Sequence, residues 1–142
     1  MWVPFVIIAA VVLLPILYVV LTYNTLVALR NHIRDAWANI DTELKRRYEL
    51  VPNLVATVKG YAAHEKEVFD RITQLRAQCM ASHGSPTQQA ADENQLVAAL
   101  QKLMLVVENY PQLKADRNFL ELQKELVNTE DRIQAARRFF NG

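Results

Sequence analysis

The chain has 142 residues, 16 of them Lys or Arg against 15 Asp or Glu, for a formal net charge of +1. The charges are interspersed, so no basic stripe for nucleic acid stands out, and a single cysteine, Cys79, excludes an internal disulfide. The triplet Lys45-Arg46-Arg47 lies between Glu43 and Glu49 and reads as a solvated helix face.

Residues 2–21 carry no charged side chain, and fourteen of the twenty are Val, Ile, Leu or Phe. At about 1.5 Å of rise each they form a rod of roughly 30 Å, the thickness of a bilayer's hydrocarbon core. A cleaved signal peptide needs a basic start and a small-residue cleavage site. No Lys or Arg precedes Arg30, and Tyr18-Val19-Val20-Leu21 offers no such site; no cysteine follows for lipid attachment. Pro4 suits a first helical turn, and Pro15 kinks the span at modest cost. The expected organisation is a transmembrane anchor over residues 1–22 and one helical domain over 23–142, with the lipid bilayer as first partner. Arg30 and Arg34 follow the span and only the α-amino group precedes it. The expected orientation is N-terminus outside and helical domain in the cytoplasm, at a bacterial inner membrane.

Beyond residue 22 the periodicity is helical. Leu26, Leu29, Ile33, Trp37, Ile40, Leu44 and Tyr48 recur at steps of three and four. A second run takes Leu54, Val58, Tyr61, Val68, Ile72, Leu75 and Cys79, with Glu65 at a core step. A third takes Leu96, Leu100, Leu103, Val107 and Tyr110; a fourth takes Phe119, Leu122, Leu126, Ile133, Ala136 and Phe140, with Thr129 between. Breaks are expected at Pro52-Asn53, over residues 82–86 and at Asn109-Tyr110-Pro111, with the small polar residues 87–91 extending the second loop. The spacing runs in phase through Pro52, which a single kinked helix would also give. Two helices joined at a tight corner is the preferred reading. Four amphipathic segments with one apolar face each close most simply as an all-α, antiparallel up-and-down four-helix bundle. With no turn signal after Leu21, its first helix is expected to grow directly out of the membrane span.

The search for chemistry mostly removes options. His64-Glu65-Lys66-Glu67-Val68 lacks the second histidine of a zinc-protease helix, and no histidine stands three residues after a glutamate, as a di-iron bundle requires. Cys79 and His83 make only two ligands, and no glycine-rich phosphate loop exists. No cofactor, metal or catalytic residue is expected. Arg47 and Glu65 fall on the core frame, where a lone charge would cost several kcal/mol. They reach the rim, pair with each other, pair with a neighbouring helix, or mark a partner-helix groove. Trp37 reads as core. Leu29 and Ile33 lie on a stripe of coiled-coil type between Leu26 and Leu44, at the membrane surface.

Residues 23–77 and 93–141 resemble two blocks of the LemA family. The pair Tyr23-Asn24 and the segments AWANID (36–41), RRYELVPNLV (46–55) and NTEDRI (128–133) appear in order. The resemblance implies a single-pass bacterial membrane protein with a four-helix bundle and no established enzymatic activity. Some members share operons with a membrane-embedded zinc metalloprotease, which implies an accessory role beside such a protease as an alternative function. A relative acts in magnetosome membrane formation. Family members usually extend past the point where this sequence stops. The fourth helix is therefore expected to lack its last turns, leaving apolar surface for self-association into a homo-oligomer. The expected function is a non-enzymatic interaction or scaffold module at the membrane, and Leu29, Ile33, Trp37, Arg47, Pro52 and Glu65 are its candidate structural or interaction residues.

Overall fold

The computed structural model describes residues 2–82 and 84–141, and side chains of these other than 86 and 139–141. His83 and the side chain of Phe140 lie outside the described residues. All elements are helices: α1 (Val3–Lys59), α2 (Lys66–Ala81), α3 (Pro86–Val107), the single turn α4 (Pro111–Lys114) and α5 (Arg117–Asn141). No strand occurs among the described residues.

α1 is unbroken for 57 residues, and both Pro15 and Pro52 lie inside it. The tight corner expected at Pro52 is therefore wrong. Proline removes one N–H and strands the carbonyl four residues back, here that of Tyr48. That carbonyl accepts a hydrogen bond from Nε of Arg76 on α2 at 2.6 Å. A side chain from another helix thus satisfies the acceptor, and the apolar face continues across the proline through Val51, Leu54, Val55 and Val58.

The break comes instead at residues 60–65, inside what the periodicity joined into one run. Gly60 follows α1, and the N–H groups of Tyr61 and Ala62 fold back onto the Val58 carbonyl at 3.0 and 2.9 Å. Glu65 has non-helical dihedrals and stands at the N-cap of α2, half-buried. Its core step falls in the turn, and Arg47 pairs elsewhere. The expected second break is present, since α2 ends at Ala81 and α3 begins at Pro86, but it is shorter than expected. Ser85 caps α3 by accepting from the Gln88 N–H at 3.3 Å, and residues 87–91 are already helical. After α4, Asp116 accepts from the Phe119 N–H at 2.9 Å and starts α5.

One core joins these helices. Ile40, Leu44, Tyr48, Val51 and Val58 of α1 meet Phe69, Ile72 and Leu75 of α2, Leu96, Leu103 and Val107 of α3, Leu113 of α4, and Phe119 and Ile133 of α5. The cross-helix pairs Glu43–Arg132, Arg46–Glu125 and Tyr61–Asp116 run in opposite numerical order, so α5 lies antiparallel along α1. α2 and α3 form the other closely packed pair. Near its C-terminal end α5 brings Ala136 beside Ala36 and Asn39 of α1. Burial on α1 begins at Ala36, and every described residue before it is exposed. The first part of α1 is long and apolar enough to cross a membrane, and none of its most apolar 18-residue window is buried against the domain.

Candidate functional site

Two features stand out, a charged network inside the core and an uncovered face outside it. Arg47 is 2% exposed and points between α3 and α5. Its Nη1 donates to Oε2 of Glu93 at 2.8 Å, and its Nη2 donates to Oε2 of Glu130. Glu93 is equally buried and accepts through Oε1 from the Tyr48 hydroxyl. Glu130 reaches the surface and accepts from Gln134 Nε2 at 2.8 Å. One arginine thus ties three helices, and each buried charge has a partner, which a low-dielectric interior demands. Beside it, buried Asp92 accepts from Gln78 at 2.8 Å and from Gln88 at 3.3 Å, fastening α2 to α3.

Two other groups beside Glu93, the Tyr48 phenol and the Cys79 thiol, are held neutral. Burial first, then the hydrogen bond to Glu93, pushes the Tyr48 phenol far above its ordinary value. Burial, reinforced by the Glu93 charge, pushes the Cys79 thiol up to about 12. A thiol in that state is no nucleophile at neutral pH. Among the described residues no group of three His, Cys, Asp or Glu side chains is placed to hold a metal ion. A cavity of about 210 Å³ opens between α3 and α5, walled by Val97, Leu100, Met104 and Leu126, with Arg47 and Glu130 at its polar side.

The six residues singled out from the sequence do not come together. Leu29 and Ile33 are 56% and 43% exposed, and the nearby Leu26 is 59% exposed. Trp37 is half-buried and packs against the core. Pro52 lies on the outer side of α1, Glu65 stands at the N-cap position of α2 without a side-chain cap bond, and only Arg47 joins the network. Its partners were missed. Glu93 lies three residues before Leu96 on the same α3 face, so the reasoning that flagged Arg47 also reaches it. Tyr48 was read only as apolar. The bond from Arg76 to a backbone carbonyl had no sequence signal.

An apolar membrane-length helix that continues without a break into an all-helical domain, pinned by one buried arginine, sets the class of the protein as an all-helical, long-helix domain. Residues 36–142 match the model of the LemA family, and the chain belongs to that family. It is similar to Protein LemA of Metamycoplasma hominis, with 29% identity over 118 residues, covering 83% of this chain and 54% of that protein. Magnetosome protein MamQ of Magnetospirillum gryphiswaldense and Magnetosome protein MamQ 1 of Paramagnetospirillum magneticum each share 26% identity over 144 aligned positions, 84% of this chain and 53% of theirs. The chain spans about half the length of the curated relatives it matches. None of these names denotes an enzyme.

Proposed function

We propose that this protein is a membrane-anchored, non-enzymatic interaction module that self-assembles at the bacterial inner membrane, with the helical domain on the cytoplasmic side. The observation that carries this reading is the uninterrupted α1. One rigid helix joins the apolar stretch to the domain and leaves Leu26, Leu29 and Ile33 uncovered between them. Covering each such side chain contributes about 1.5–3 kcal/mol, and confinement to one membrane raises the effective concentration of neighbouring copies. The satisfied Arg47 network and the neutral Tyr48 and Cys79 support a structural rather than a catalytic interior.

The mass of the intact chain in mild detergent, compared with a chain starting at Tyr23, tests the assembly. An oligomer is expected for the intact chain; a strict monomer in both refutes it. Orientation is read by adding a membrane-impermeant thiol reagent to cells with a permeable outer layer and an intact inner membrane. A Ser82→Cys variant should stay unlabelled until the inner membrane is opened, and labelling before that places the domain outside.

A further inference from the structure

Between the apolar stretch and the first buried residue, Ala36, residues 22–35 of α1 form a stalk of about 20 Å at 1.5 Å per residue. Along it Leu26, Leu29, Ile33, Ala36 and Ile40 follow steps of three, four, three and four. That is the seam of a coiled coil, with a mean step of 3.5. From Ala36 onward the domain fills this seam, whereas Leu26, Leu29 and Ile33 on the same line stay largely exposed.

We propose that the seam of Leu26, Leu29 and Ile33 packs against the same seam of a second copy, as a short parallel two-stranded coiled coil at the membrane surface. This deepens the self-assembly reading and rests on it. Two copies anchored through the same end of α1 in one bilayer can only run parallel. In that arrangement Thr25 of one copy flanks Arg30 of the other, and His32 flanks Trp37, so no two like charges face each other beside the seam. Arg34 and Asp35 point away from it. A β-branched Ile33 at the position before Ala36 and a leucine at Leu29 suit two strands. With Tyr23 at its edge the seam exposes on the order of 400 Å² per copy, as large as the main apolar patch of an ordinary soluble monomer. That area is small for two freely diffusing proteins, and tethering in one membrane makes it sufficient.

Single cysteines in the full-length chain in native membranes test the seam. Leu26→Cys, Leu29→Cys and Ile33→Cys lie on it, and Val27→Cys and Asn31→Cys lie off it. Cys79 stays in place because it is buried and held protonated. Under mild oxidation the seam positions should give a product of twice the chain mass, and the off-seam positions about tenfold less, the factor for misplacing one buried leucine. Adding Leu29→Asp to Ile33→Cys should abolish the product without moving the unfolding midpoint, because Leu29 is exposed in the folded chain. Equal yields at all five positions overturn the seam, as does a product whose mass shows a different protein. Protection of the seam cysteines from every water-soluble thiol reagent without crosslinking places them in lipid and also overturns it. If mild detergent shows an oligomer while the seam fails, self-assembly stands and only the seam falls; a monomer removes both.

Discussion

Replacing Arg47 with methionine keeps most of the side-chain volume and removes the charge that holds Glu93 and Glu130. Glu93 is 1% exposed, so its carboxylate is left inside the core without a cation, beside the neutral Tyr48 hydroxyl and Cys79 thiol. Breaking a buried pair from one side costs about 3–5 kcal/mol, a large share of the roughly 5–15 kcal/mol that holds an ordinary domain together. For a domain of this size each kcal/mol moves the midpoint by about 4–8 °C, so a fall of roughly 12–40 °C is expected. Near-ultraviolet circular dichroism of the intact chain in mild detergent reads it, because the signal follows packed aromatic rings rather than the micelle-held helix. The double variant Arg47→Met with Glu93→Met removes the orphaned charge and should recover most of the loss. A deficit of about 1 kcal/mol should remain from the Tyr48 hydroxyl, which loses its acceptor. Arg47→Met within 1 kcal/mol of the parent, or a double variant no more stable than the single, refutes the argument that the pair is held by mutual need.

Two further outcomes follow from the same region. Arg76→Met strands the Tyr48 carbonyl beneath Pro52 and should cost about 1–3 kcal/mol. In a Pro52→Ala background the restored N–H serves that carbonyl, so Arg76→Met should cost clearly less; equal costs in chemical unfolding would separate the arginine from the proline. The raised Cys79 and Tyr48 values set a pH dependence. Their folded states hold the proton more tightly than the unfolded chain does, so their stabilising effect is complete well below about pH 8.5, where an unfolded thiol is half ionised. It is lost as pH rises towards about 12. Unfolding midpoints should therefore fall between pH 8 and 10.5, and Cys79→Ala with Tyr48→Phe should flatten that fall; an unchanged slope would sink the assignment.

The membrane-length apolar helix and the all-helical class were legible from local pattern, because twenty uncharged residues and steps of three and four need no partner to be recognised. The loop was expected to run on through residues 87–91, and the onsets of α3 and α5 were not read, although Ser85 and Asp116 carry capping oxygens that the structure uses. Arg47 was legible as a charge out of place, and Glu93 was equally so. The sequence reading failed at two points, for different reasons. Leu44, Val51, Leu54 and Val58 stay in phase through Pro52, and that phase was outweighed by a proline rule that assumes no outside donor. The run then appeared to continue through residues 60–65, because Tyr61 and Val68 happen to fall on helical steps across a turn. Only the tertiary structure brings Arg76 to the carbonyl that Pro52 strands, seats Arg47 between Glu93 and Glu130, and ends the cover over α1 at Ala36. Spacing along a chain records which side chains share a face, and that much the amino-acid order determines alone. Whether a face is covered, and which distant donor meets a stranded acceptor, depends on the register of α1 against α2, α3 and α5, which is decided by packing the whole core at once.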